Sequence, residues 1–166
     1  MIGPMRLVVI AVAALVLTPA ALAGLPSTGK LVPGRSLAGI RIGETQRRVT
    51  AALGHAHGVC SGCAIPTWYF NVRPFDQHGL GVEFTRGRVS AVYTIWQPAG
   101  WTGPKGVALG ATQAEVDANA GALFQVTCTG YDAWVNDSKT TRTVYYILNG
   151  SLWGFGLVRA NANPCR

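Results

Sequence analysis

The strongest constraint on the fold is an internal repeat. Residues 42–54 (IGETQRRVTAALG) align with residues 109–121 (LGATQAEVDANAG) at a constant offset of 67, sharing Gly, Thr, Gln, Val, Ala and the closing Gly. Self-similarity at a fixed period is the signature of a duplicated supersecondary unit. The repeat therefore predicts two copies of one small unit in this 166-residue chain.

Each copy predicts a short capped helix. Thr45 and Thr112 occupy N-cap positions, where a hydroxyl satisfies an otherwise unpaired backbone N–H. Thr112 also begins a T-x-x-E capping box with Glu115. Gly54 and Gly121 predict the helix ends, because glycine takes the left-handed conformation at little cost.

Runs with strand character follow each helix. Residues 67–72 are aromatic and β-branched, and residues 80–95 alternate apolar and polar around a turn at Arg86-Gly87. In the second copy residues 141–148 and 152–158 flank Asn149-Gly150, a strong signal for a type I′ hairpin.

These patterns predict an α+β fold. We expect two tandem units, each a helix followed by an antiparallel meander, whose sheet packs against the short helices. The first unit spans residues 24–97 and the second spans residues 98–166, with a Gly- and Pro-containing linker at residues 96–105.

The first 23 residues have the layout of a secretory signal peptide. Arg6 precedes an apolar run at residues 7–17, Pro19 interrupts it, and Ala21-Leu22-Ala23 provides a small-x-small cleavage site. The apolar run is shorter than the roughly 20 residues that span a bilayer. The sequence thus predicts export through the Sec pathway, a secreted mature protein, and no membrane anchor after cleavage.

The chain is basic, with a net charge of +7. Its arginines are scattered, and the absence of a long basic run argues against a nucleic-acid partner. A solvated basic surface explains the charge, and the alternative is attraction to an anionic wall polymer or an acidic protein.

The motifs of the helix and strand segments together resemble a known repeat. The sequence G-I-x-I-G-x-T-x-x-x-V-x-x-x-L-G, then W-Y-F, then L-x-V-x-F-x-x-G-R-V, resembles the repeat of the β-lactamase-inhibitor-protein-like superfamily, which also includes lipoproteins of the SmpA/OmlA (BamE) type. The resemblance runs over most of residues 37–158. It implies helices packed on an antiparallel sheet and a binding protein rather than an enzyme.

Four cysteines predict two disulfides in an exported protein. The preferred pairing is Cys60–Cys63 and Cys128–Cys165, among three possible pairings. A metal site is the alternative, because His55-x-His57-x-x-Cys60-x-x-Cys63 has the ligand chemistry of zinc. The contiguous spacing and the oxidising compartment favour the disulfide, so no cofactor is expected.

The sequence contains no catalytic motif such as G-x-S-x-G or H-E-x-x-H. Exposed aromatic and arginine side chains are instead typical of binding surfaces. If Tyr145 and Ile147 face the core, Tyr146 faces outward beside Arg142. With Trp96 and Trp101 of the linker, these are the candidate binding residues.

The sequence therefore predicts a secreted, non-enzymatic module that binds an extracellular protein through an open sheet face and could act as an inhibitor. The alternative is a small envelope protein that binds a metal through the His-Cys cluster.

Overall fold

The computed structural model describes residue 25 and residues 28–70, 79–96 and 100–166. The signal peptide expected at residues 1–23 lies outside the described residues. The elements in chain order are β1 (Gly29–Val32), β2 (Ser36–Leu37), α1 (Gln46–Leu53), β3 (Gly58–Val59), β4 (Thr67–Phe70), β5 (Gly79–Thr85), β6 (Arg88–Ile95), β7 (Trp101–Thr102), a 3₁₀ turn (Pro104–Gly106), α2 (Gln113–Ala120), β8 (Phe124–Thr127), β9 (Asp132–Asp137), β10 (Thr141–Leu148) and β11 (Ser151–Arg159).

Two sheets organise these strands. The larger one has eight strands in the order β3-β4-β5-β6-β11-β10-β9-β8, and its neighbouring strands are all antiparallel. The smaller sheet has the order β2-β1-β7, in which β1 and β7 are parallel. In the larger sheet, β3 and β8 are the edge strands.

The expected architecture of two helix-plus-meander units is wrong. The structure is mostly β, with 46% strand against 15% helix, and the described residues form two α-helices. Strands from both halves of the chain join in one sheet through β6 and β11, and the expected linker supplies β7 to the second sheet. Local patterns predicted hairpins but could not predict pairings between strands this far apart in sequence. The domain boundary at 97/98 stays a prediction.

The two predicted helix starts are confirmed. Thr45 precedes α1 and accepts a hydrogen bond from the Arg48 amide, and Thr112 precedes α2 and accepts one from the Glu115 amide. In α2 the Glu115 carboxylate also accepts from the Thr112 amide at 2.7 Å, which completes the capping box. The helices are short because Gly54 and Gly121, both at φ +86°, end them.

The β10–β11 hairpin also forms as predicted. Asn149 and Gly150 have φ values of +51° and +77°, and a type I′ turn requires positive φ at both positions.

One face of the large sheet carries the main core. Tyr145, Phe155 and Leu157 from its central strands pack with Val49 of α1 and Val116 of α2. Leu31, Leu37 and Trp101 of the small sheet complete the same cluster. The helices and the small sheet therefore cover this first face.

The second face carries a smaller cluster. Ala91, Val144, Tyr146 and Val158 are buried there, and Ala162 of the C-terminal segment packs against them. We call residues 160–166 the C-terminal tail. Among the described residues, no helix is long and apolar enough to cross a membrane.

Gly81 allows a close approach on the second face. A Cβ at Gly81 would lie 2.6 Å from Cζ of Tyr93, so the tyrosine ring rests directly on the glycine backbone. Glycine in a strand interior commonly marks such a contact.

Candidate functional site

The C-terminal tail covers the sheet face that the sequence predicted to be open. Tyr146 does face away from Tyr145 and the main core, but it is fully buried. Its ring packs edge-on to Tyr131, and Ala162 of the tail lies in the same cluster. The expectation of a bare binding face around Tyr146 is therefore wrong.

Arg142 holds the tail in place. Its Nε donates to Oδ1 of Asp137 at 2.9 Å, and its Nη1 donates to the Ala162 carbonyl at 3.1 Å. Arg142 was expected to contact a partner, but Nε binds Asp137 of β9 and Nη1 binds the chain's own tail. The reason is a long-range contact that nothing in the local sequence indicates.

The two tryptophans have different fates. Trp101 belongs to β7 of the small sheet, and its side chain is fully buried in the main core. It therefore cannot serve as an accessible contact. Trp96 is 59% exposed and has a φ of +61°, an uncommon conformation for a bulky residue. Of the four candidate binding residues, only Trp96 has a largely exposed side chain.

Both disulfides form with the predicted pairing. The Cα atoms are 5.7 Å apart in Cys60–Cys63 and 5.6 Å apart in Cys128–Cys165, within the usual range for disulfides. The second bridge ties the tail to the residue that follows β8. Two disulfides indicate an oxidising location, extracellular or periplasmic.

The structure does not assemble the alternative metal cluster. Both of its sulfur atoms are used in the Cys60–Cys63 bond. His57 stacks on Trp68 with ring centroids 4.1 Å apart, and burial lowers its pKa, with the nearby His55 adding to the shift. Within the described ranges, no group of three or more His, Cys, Asp or Glu side chains is placed to hold a metal ion.

Strand β8 leaves one edge of the large sheet unpaired. The Cys128 amide donates to the Tyr131 carbonyl at 2.9 Å, so Cys128 bonds toward β9. Antiparallel ladders alternate, and the register Phe124↔Val135 continues from this pair. The backbone N–H and C=O groups of Gln125 and Thr127 therefore point away from β9, toward the free edge.

The β8 edge has little protection against pairing. Natural edge strands are usually blunted by charges, proline or bulges. Residues 118–131 contain neither a charge nor a proline, although the whole chain carries +7. Phe124 is 44% exposed at this edge, and Gln125 and Thr127 are also exposed. By contrast, the opposite edge strand β3 has only two residues, and a very short edge strand offers little backbone for pairing.

Sequence reasoning missed this edge. It placed no strand at residues 124–127, because Phe-Gln-Val-Thr is short and lies close to a helix end. The uncharged stretch between Asp117 and Asp132 was the available signal, since it contrasts with the basic remainder of the chain.

A buried ion pair on the second face was also missed. Nε of Arg166 lies 2.8 Å from Oε1 of Glu83, and both side chains are more than 90% buried. The Nε–H does not point at the carboxylate, so the contact is an ion pair without a hydrogen bond. Burial raises the pKa of Glu83, and the Arg166 charge opposes that rise. The single acid in the run Leu-Gly-Val-Glu-Phe was the sequence signal for this site.

No family model, curated protein or solved structure matches the chain.

Proposed function

We propose that this protein is an exported, non-enzymatic binding module that captures an extended segment of another extracellular protein at the edge strand β8. The observation that carries the proposal is the free row of backbone groups on Gln125 and Thr127. Extended peptides commonly bind by adding a strand to such an edge. The β8 edge replaces the predicted binding surface around Tyr146, because the tail covers that surface.

The chemistry of the edge favours a polypeptide. The outward N–H and C=O groups of Gln125 and Thr127 offer two donors and two acceptors, which an extended backbone matches. Such hydrogen bonds contribute about 1 kcal/mol each, so affinity also needs side-chain contacts. Phe124 supplies an exposed apolar ring for one of them.

The edge is held as a rigid template. Cys128 follows β8 directly and is bonded to Cys165, while the other side of β8 pairs with β9 over four residues. A preorganised strand loses little conformational entropy on binding.

Several acids have structural roles, which supports a binding function. Glu115 completes a helix cap, Glu83 pairs with Arg166, and Asp137 pairs with Arg142. The Glu44 carboxylate accepts a hydrogen bond from the Arg41 amide.

Peptide display against the mature, oxidised protein tests the proposal. Selected peptides should perturb the amide resonances of Gln125 and Thr127 more strongly than those of β3. Proline at position 125 removes an outward N–H without touching the β8–β9 ladder. We expect Gln125→Pro to weaken binding about tenfold, whereas the control Gln125→Ala keeps the N–H and binds within about twofold.

Three outcomes contradict the proposal. Peptides could bind equally well to Gln125→Pro, or their amide perturbations could map away from β8. Sedimentation could also show that β8 pairs with β8 of a second copy, with dimerisation abolished by Gln125→Pro. That result would replace a foreign partner with self-association.

A further inference from the structure

The two sides of the β8 edge differ in chemistry, and the second-face side is apolar. The β9 partners of Phe124 and Val126 belong to the apolar cluster of the second face. Directly opposite residues of an antiparallel pair share one face of the sheet. Phe124, which is exposed, and Val126, which is half-buried, therefore offer apolar contacts on this side to a strand added at β8.

The first-face side of the edge is polar and borders a cavity. Thr127 lies on this side, because its β9 partner Asp132 also pairs with Ile147 of the main core. A cavity of about 450 Å³ lies beside Thr127. We call it the Asp132 cavity. Its lining includes Gln113, Thr127, Asp132, Ile147 and Asn149.

Asp132 supplies the negative charge of this lining. Its side chain is half-buried and makes no hydrogen bond or ion pair to any residue in the described part of the chain. Other acids are already paired, such as Asp137 with Arg142. The Asp132 carboxylate is therefore available to a cation that arrives with a ligand.

The segment around β8 is acidic in an otherwise basic protein. Residues 106–138 contain four of the seven acids and neither lysine nor arginine, whereas the remaining residues carry all 14 Lys and Arg against three acids. A basic peptide is therefore attracted to the β8 region and repelled by much of the remaining surface. Pairing of β8 with β8 of a second copy would instead place two acidic segments side by side, which disfavours self-association.

The sheet geometry restricts the cation to a long side chain. Neighbouring strands lie about 4.8 Å apart, so a strand added at β8 would run about 10 Å from β9, which carries Asp132. Lysine and arginine carry their charge at the end of a flexible apolar stem, which can cross this gap over Thr127. A short side chain at the same position would not reach the carboxylate.

We propose that the segment captured at β8 is a basic strand of another exported protein, with apolar side chains against Phe124 and Val126 and a lysine or arginine over Thr127 that pairs with Asp132. When a peptide adds to a sheet edge, pockets for alternate side chains supply the specificity. This inference rests on the proposed function, because the basic side chain reaches the Asp132 cavity from a strand at β8.

Synthetic peptides that differ at one position test the inference on the full oxidised protein. Valine alternates with threonine in each peptide, both ends are blocked, and one central threonine is replaced by lysine, glutamine or glutamate. A strand that shifts by two residues keeps each side chain on its face, so a peptide longer than β8 can bring its lysine over Thr127.

We expect all of these peptides to perturb the amides of Gln125 and Thr127. Calorimetry at low salt should show the lysine peptide binding about fivefold more tightly than the glutamine peptide, as a partly exposed ion pair predicts. The glutamate peptide should bind more weakly than both. Added salt should reduce these differences, because it screens the charges.

Two isosteric variants assign the effect to one carboxylate. Asp132→Asn should bind the lysine and glutamine peptides within about twofold of each other, since the ion pair is gone. Asp117→Asn is the matched control, because it changes the net charge equally at an exposed position of α2 outside the cavity lining. It should keep the preference for lysine.

Equal affinity for the lysine and glutamine peptides overturns the inference and leaves the proposed function standing, because the Gln125 and Thr127 amides still report binding at the edge. A lysine preference that persists in Asp132→Asn, or that Asp117→Asn removes equally, also overturns it. If these amides respond to peptides selected by display but to none of the synthetic ones, the basic alternating pattern is wrong. If they respond to neither, both proposals fail.

Discussion

Burial disfavours the charged form of the Glu83 carboxyl group more than the ion pair with Arg166 favours it. Burial raises its pKa above the ordinary value of 4.5, and the Arg166 charge at 2.8 Å opposes the rise without cancelling it. A buried ion pair often fails to repay the cost of desolvating its charges. The Glu83–Arg166 ion pair is therefore not expected to stabilise the fold strongly by itself.

The raised pKa makes the contribution of Glu83 to the unfolding free energy depend on pH. A carboxyl whose pKa is raised in the folded protein contributes most to stability below pH 4.5, and the contribution is lost as the pH rises through the raised pKa. Glu83→Gln lacks this titration. We therefore expect the unfolding free energy of the unmodified protein, relative to Glu83→Gln, to fall as the pH rises above 4.5.

Urea unfolding of both proteins across this range measures the effect. Glu115→Gln is a useful control, because hydrogen bonds to Thr112 lower the pKa of Glu115, so its contribution to stability is lost only as the pH falls below 4.5 and should be nearly constant above it. A difference between the unmodified protein and Glu83→Gln that is flat with pH would show that Glu83 is not desolvated as the structure indicates.

At the scale of elements, the two helices differ in how well their first turns are closed. Around α2 the Thr112 hydroxyl accepts from the Glu115 amide and the Glu115 carboxylate accepts from the Thr112 amide. At α1 the Thr45 hydroxyl accepts from Arg48, and arginine cannot return the second bond. The same N-cap residue therefore acts in two different contexts.

Cap removal should be more costly at α2. We expect Thr112→Ala to reduce the unfolding free energy by about 1 to 2 kcal/mol, because it removes a hydroxyl that accepts from the Glu115 amide and donates to the Glu115 carboxylate. Thr45→Ala removes a single cap bond and should cost about 0.5 to 1 kcal/mol. Denaturant midpoints, compared at an unchanged m-value, measure the loss of unfolding free energy in both variants. Equal losses would mean that the bond from the Thr112 hydroxyl to the Glu115 carboxylate adds nothing to the cap.

Those caps were visible in the sequence because a cap is a local signal. The Asn149-Gly150 turn was predictable for the same reason. Strand β8 was not, since Phe124–Thr127 alternates apolar and polar residues over only four positions, which is too short a run to distinguish a strand from a loop. The pairing of Gly29 with Trp101 joins segments about 70 residues apart, and no local pattern specifies it.

The candidate site was harder to predict than the helices. Tyr146 was correctly placed opposite Tyr145, but strand alternation reports a side chain's face and not what covers that face. The covering tail depends on a disulfide from Cys165 and on the Arg142–Ala162 hydrogen bond. The pairing of the cysteines could be predicted, whereas the surface that the tail would hide could not.

At the scale of the whole molecule, the tail is fastened to the second face at several points. Cys165 is bonded to Cys128, Arg166 pairs with Glu83, and the Tyr131 hydroxyl accepts from the Arg166 amide at 2.5 Å. Beneath it lies the apolar cluster that includes Tyr146. The Cys128–Cys165 bond therefore constrains the chain and also keeps an apolar surface covered.

The two disulfides should differ in their contributions to stability. The bridges close loops with sequence separations of 37 and 3 residues. The loop-entropy relation assigns about 4 kcal/mol to the long loop and about 1.5 kcal/mol to the short one. We expect the double variant Cys128→Ser/Cys165→Ser to lose more unfolding free energy than Cys60→Ser/Cys63→Ser by about 2 kcal/mol.

A second measurement separates the loop-entropy contribution of the Cys128–Cys165 bond from its role in keeping the tail on the second face. If the tail leaves the second face in Cys128→Ser/Cys165→Ser, the exposed cluster around Tyr146 should bind an apolar dye under native conditions, which Cys60→Ser/Cys63→Ser should not. Loss of stability without dye binding would mean that Arg142 and Arg166 hold the tail without the disulfide. Equal stability losses in both double variants would contradict the loop-length argument, because the long bridge would then contribute no more than the short one.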